Sequence, residues 1–179
     1  MSDEQKAVEQ WLDDVVIGLN LCPFAVQPRR QDQVRFMVSQ AQTEEELLYD
    51  LHAEITLLES SPPAEIETTL VIIPFLLADF EHYNQFLDVV DAVLDDFNWH
   101  GEFQIASFHP YYCFADTDID SVENLTNRSP YPILHIIREQ SMEKALAHMT
   151  APDEIFKRNI ATMTALSAEE IQRLFPLSK

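Results

Sequence analysis

Positions 68–73 read TTLVII, a continuous apolar and β-branched run of the kind that forms a strand buried on both faces. Such a strand needs cover above and below, and the flanking sequence supplies it. Upstream, Thr43 followed by Glu46 is a capping-box signature. Leu47, Leu48, Leu51, Ile55 and Leu58 continue at helical spacing until Pro62-Pro63 closes the unit. Downstream, Asp79 stands where it can cap a helix whose apolar stripe is Phe80, Tyr83, Leu87, Val90, Leu94 and Phe97.

Three more strands are predicted. Residues 33–39 (QVRFMVS) alternate, with Val34, Phe36 and Val38 on one face. A turn at residues 98–101 leads into a strand over 102–108, and residues 133–138 (ILHIIR) form the fourth. Residues 4–19 carry Val8, Trp11, Leu12, Val15, Val16 and Leu19 at amphipathic spacing. That helix should end near Asn20, because Pro23 disfavours helical geometry just before it. Short helices are expected to begin near Ser141, near Pro152 and near Ser167, whose Glu170 completes another capping box.

The order α, then β-α-β-α-β, then a long connection, then β-α-α-α predicts one domain over residues 1–179. Its class is α/β (or α+β): a four-stranded mixed, mostly parallel sheet covered by helices. Each β-α-β unit should be a right-handed crossover. The buried character of the second and fourth strands leans toward helices on both faces.

Composition removes whole classes of function. The chain has 11 basic and 31 acidic residues, a formal charge of −20, and only two glycines, Gly18 and Gly101. Dinucleotide fingerprints and P-loops need several glycines in a short span, and a nucleophile elbow needs two around its serine. The acidity argues against nucleic acid, whose phosphates require clustered Lys and Arg. No apolar run approaches the roughly 20 residues of a membrane span, and the MSDEQK start is unlike a secretory signal. Cys22 and Cys113 form no disulfide framework, so reduced thiols and a cytoplasmic setting are expected.

The segment from Pro110 to Pro132 is overlong for a compact domain, and such connections usually carry function. It holds Tyr111, Tyr112, Asn127 and Arg128, with His109 just before it and His135, Arg138 and Glu139 just after. Basic residues are scarce, so Arg29, Arg30, Arg35, Arg128 and Arg138 are conspicuous as anion ligands. Pairing with abundant surface carboxylates is the plainer reading of the same arginines. His109 and His135 are candidate acid/base groups, with Glu139 as a carboxylate partner. An antiparallel fourth strand would let His109 approach His135; a parallel one would bring Arg138 and Glu139 to it. Asp116, Asp118 and Asp120 alternate like a cation loop, but Ser121 and Asn127 stand where an EF-hand needs Gly and Glu. Cys22 reads as a packed thiol, because a helix C-terminus raises a thiol's pKa; a nucleophilic role would need His109 as its partner.

Four strings then act together: LNLCPFA at 19–25, FHPYYCF at 108–114, NRSPYP at 127–132 and HIIRE at 135–139. The chain resembles the bacterial domain-of-unknown-function family numbered 1415, from Trp11 through the helix expected near Pro152. The resemblance implies a cytoplasmic bacterial setting; it brings no reaction, cofactor or catalytic residue.

Three functions are consistent with this reading. The first is a small enzyme acting on, or binding, an anionic small molecule. Its pocket would be built from the long loop, with His109 as acid/base, Arg128 and Arg138 as clamps, and Tyr111 and Tyr112 as lining. The second is a metal-dependent hydrolase using His109, His135 and one of Asp116, Asp118 or Glu139. The third is a non-enzymatic module whose acidic surface meets a basic partner.

Overall fold

The computed structural model describes residues 1–147 and 154–176. Its four strands, β1 (Val34–Val38), β2 (Thr68–Ile72), β3 (Phe103–Phe108) and β4 (Ile133–Arg138), form one sheet in the order β1-β2-β4-β3. β1 and β2 are parallel, whereas β4 runs antiparallel to both of its neighbours. This corrects the expected mostly parallel sheet. The long connection after β3 lets the chain return antiparallel between β2 and β3, leaving one parallel pair in a mixed α+β sheet.

Helices α1 (Asp3–Trp11), α2 (Val26–Arg30), α3 (Glu44–Ser60), α4 (Phe80–Asp96), α5 (Glu139–Ala147), α6 (Glu154–Thr164) and α7 (Ala168–Leu174) surround this sheet. The predicted helix start near Pro152 lies outside the described residues. Strand alternation divides the core in two. On one face Val71, Leu134, Ile136 and Phe103 pack under α3 and α4, with Leu47, Leu51, Ile55 and Leu58 of α3 fully buried. Each of those leucines contributes about 1.5–3 kcal/mol on burial. On the other face Leu70, Ile72 and Ile133 pack against Val8, Trp11 and Val15 of the N-terminal helix and Met163 of α6. The sheet is therefore covered on both sides.

Capping follows the residue chemistry. Thr43 Oγ1 accepts from Glu46 N–H at the start of α3, Asp79 accepts from His82 N–H at the start of α4, and Ser167 and Glu170 form a reciprocal box at α7. Glu46 reaches one residue beyond its expected partner, to the Gln42 N–H at 2.8 Å.

After α1 the chain widens into a π-helical segment, Leu12–Ile17, and reverses at Asn20, which has φ 54°. Gly18 permits that widening: a Cβ there would stand 2.3 Å from the Asp14 carbonyl oxygen. Gly18→Ala is accordingly expected to cost about 2 kcal/mol, within the range for forced overpacking. In a regular helix the same change would gain about 1 kcal/mol. The sign of the shift in a urea denaturation midpoint therefore reads the π segment directly; a stabilised variant would mean that the backbone relaxes to an ordinary helix without penalty. Among the described residues, no helix is long and apolar enough to cross a membrane.

Candidate functional site

The π segment and the reversal at Asn20 bring residues 21–25 back across the sheet. Two side chains of α6 hold the turn. Arg158 donates to the Asn20 carbonyl at 2.9 Å and Asn159 to the Leu21 carbonyl at 2.8 Å, satisfying turn carbonyls that would otherwise lack a partner. Beneath the returning segment lies a cavity of about 420 Å³. Leu70, Ile137, Thr68 and His135 of the sheet line it, as do Cys22 and Phe24 of the returning chain. Met142, Lys144 and Ala145 of α5 also line it. Its size and mostly apolar wall, with a few polar groups, suit a small organic molecule.

Two of the polar groups, Thr68 and His135, share a hydrogen-bond chain. Thr68 Oγ1 donates to the Ile136 carbonyl at 2.6 Å and lies 2.6 Å from His135 Nε2. A hydroxyl has one proton, and a carbonyl supplies none. His135 Nε2–H must therefore be the donor to Thr68, which leaves Nδ1 unprotonated. No hydrogen bond to Nδ1 is found among the described residues, and Nδ1 is not one of the buried polar atoms left without a partner. Burial pushes the His135 pKa down to about 4, so the ring is neutral at physiological pH.

Cys22 is likewise held neutral. Burial pushes its pKa up, against the smaller opposing pull of the Phe24 and Ala25 N–H groups and the Arg158 charge. This agrees with the expected packed thiol, although burial rather than the helix end is the main cause. Arg29 does not assist it: that guanidinium forks onto Asp13 at 2.8 Å and reaches Glu9 at 3.1 Å. The cavity therefore offers a neutral imidazole and a neutral thiol. Thr68 is a poor nucleophile, because its proton is already committed to a carbonyl.

The other predicted site residues do not meet here. His109 and His135 lie on opposite faces of the sheet. The antiparallel register pairs Ala106 with His135 and Phe108 with Ile133, so His109 falls beyond the paired strands. It is fully buried, donating from Nε2 to the Leu77 carbonyl and accepting the Tyr111 N–H at Nδ1, both at 3.0 Å. Arg128 is 9% exposed and donates to the Ile119 and Tyr112 carbonyls, tying down the long loop. Arg138 donates to the carbonyls of Leu58, Ser61 and Ile66, finishing α3. Arg35 is paired with Glu54.

The remaining candidates are similarly dispersed. Asn127 donates to the Ser107 carbonyl at 3.1 Å. Tyr112 packs between Phe80 and Phe114, while Tyr111 and Arg30 are exposed. Glu139 begins α5, and its N–H donates to the Glu102 carbonyl. Among the described residues no three His, Cys, Asp or Glu side chains are grouped to hold a metal ion. The sheet separates the two histidines that the hydrolase reading needs.

Of the predicted set, only His135 lines the cavity. Thr68 and Lys144 line it without having stood out in the sequence, and Cys22 lines it together with His135 rather than with His109. Two signals bore on them: alternation puts Thr68 on the face of Leu70, and the LNLCPFA string was the most distinctive near the N-terminus.

No curated protein and no solved structure matches the chain. A family described as "Protein of unknown function (DUF1415)" matches residues 3–173 of the 179, which include the whole cavity wall, and the chain belongs to that family.

Proposed function

We propose that the protein binds a small amphipathic molecule in the cavity under residues 21–25. The apolar body lies on Leu70, Ile137 and Phe24, and an acidic group at the mouth meets Lys144. The observation that carries this reading is the half-open cavity of about 420 Å³ bounded by sheet, returning chain and α5. One charge supports the anionic end. Lys144 is exposed and in no ion pair among the described residues. Glu67, the acidic lining residue, has the opposite sign and lies near enough to Arg138 to act on its charge. Binding is favoured over acid/base catalysis because both titratable groups at the inner end are held neutral. A base whose conjugate acid has a pKa of about 4 lies well below the range useful near pH 7.

The test is titration with phenylpropanoate and octanoate, followed by calorimetry and thermal unfolding. A ligand at 100 times its Kd should stabilise the fold by about 3 kcal/mol. Ala145→Trp, which fills the cavity from α5, is expected to abolish the effect. Lys144→Glu should weaken binding about fivefold to tenfold. Equal binding by wild type and Ala145→Trp would place the ligand elsewhere.

A further inference from the structure

We propose that the ligand of this cavity carries a neutral hydrogen-bond donor, an alcohol or phenol hydroxyl, at its inner end, and that it donates to Nδ1 of His135. The inference rests on the binding reading above and adds the chemistry at His135, which is more buried than the exposed Lys144. It follows from proton accounting. Thr68 spends its proton on the Ile136 carbonyl, and its 2.6 Å contact with His135 then requires Nε2–H. A neutral imidazole protonated at Nε2 presents a lone pair at Nδ1. That nitrogen has no partner among the described residues, and no hydrogen bond joins it to Cys22 although both side chains line the cavity.

The arrangement selects against the alternatives. A carboxylate beside His135 would oppose its own lone pairs to that of Nδ1 in a largely apolar, half-open cavity. It would be accommodated only by protonating a ring that burial keeps neutral. An ether or a bare hydrocarbon would leave Nδ1 desolvated and unmatched. A hydroxyl satisfies Nδ1, keeps its own oxygen available to the Cys22 thiol, and costs no change of charge. With an acid at the mouth and a hydroxyl at the inner end, the chemical class is a hydroxylated apolar acid.

Three probes of one skeleton separate these possibilities: para-hydroxyphenylpropanoate, phenylpropanoate and para-methoxyphenylpropanoate, each titrated by calorimetry into the full chain. The hydroxyl compound should bind about tenfold tighter than the unsubstituted one, the size of one well-placed hydrogen bond in a largely apolar site. The methoxy compound should gain nothing. His135→Phe should lose the hydroxyl preference, so that the hydroxyl and unsubstituted compounds bind it equally. Nitrogen-15 spectra of the His135 ring provide a reading independent of the ligand: Nδ1 should be unprotonated in the free protein, and its resonance should move when the hydroxyl probe binds.

Equal affinities for all three probes would overturn the inference while leaving the cavity reading intact. Preference for the methoxy compound, or a ring protonated at Nδ1, would also overturn it. Failure of every probe to bind, in wild type and variant alike, would remove the cavity reading and this inference with it.

Discussion

Replacing His109 with leucine is expected to destabilise the protein by about 3–5 kcal/mol, lowering the thermal midpoint by about 10 °C. His109 is fully buried, and burial is the main cause of its lowered pKa. Both ring nitrogens are in use. Nε2–H donates to the carbonyl of Leu77 and Nδ1 accepts from the Tyr111 N–H. One neutral ring thereby joins the segment before α4 to the start of the long connection.

Leu77 is itself buried and has φ 57°, a left-handed conformation uncommon for a residue with a bulky side chain. Its backbone is held in place by neighbours such as this histidine. Leucine has similar bulk but no polar atom, so the variant orphans one carbonyl and one N–H. Each orphaned group costs about 1–3 kcal/mol. Packing changes around Phe80 and Tyr83, whose rings lie 5.3 and 5.0 Å from the imidazole, supply the remainder. Urea denaturation measures the loss. Limited proteolysis should show earlier cleavage between residues 110 and 132 than in wild type. A loss below about 1 kcal/mol would mean that water or a shifted backbone replaces both bonds, and a catalytic assignment for His109 would then regain interest.

The outcome for His109 illustrates what was readable from the residues. Periodicity located the long helices and strands because their side chains repeat within a few positions. Alternation assigned His135 and Ile137 to the same face. Caps were readable for the same local reason, as at Thr43, Asp79 and Ser167. Strand order was not readable. A connection as long as residues 110–132 can return on either side of β2 and in either direction, and its course is set by buried contacts such as Asn124 with the Phe114 N–H and Asp118 carbonyl.

The arginines misled for a related physical reason. Arg128 and Arg138 look like free anion ligands in a chain of charge −20, yet each is spent on backbone carbonyls from distant segments. Those carbonyls exist only once the chain has folded. Cys22 and His135 are over a hundred positions apart, and they share a cavity because a π segment, a left-handed Asn20 and α6 fold residues 21–25 back. Local pattern carries no record of such a return.

The second large effect is a loss of stability in mild acid that depends on His135. In the unfolded chain this residue should titrate near pH 6.5; in the fold its pKa lies at about 4. Above the unfolded value both states hold a neutral ring, and the group contributes nothing to the pH dependence. Between pH 6.5 and 4 the unfolded chain takes up a proton that the native state refuses. Proton uptake by the unfolded state means that stability falls as pH falls. The integrated loss from pH 7 to 4 is about 3 kcal/mol for His135 alone. The lowered pKa of His109 acts in the same direction.

Other groups titrate in this window, because a chain with 31 acidic residues begins to shed repulsion as carboxylates protonate. The histidine is isolated by comparing wild type with His135→Gln, in which Cys22, Glu67, Lys144 and the surface carboxylates are unchanged. Urea denaturation at half-unit steps from pH 7.5 to 4 gives both curves. The wild type should lose about 3 kcal/mol more than the variant by pH 4, with the difference developing entirely below about pH 6.5. A constant difference across the range would mean that His135 takes up its proton as freely in the fold as in the unfolded chain. The neutral acceptor at the inner end of the cavity would then have no physical basis, and a cationic ring suited to an anion would stand in its place.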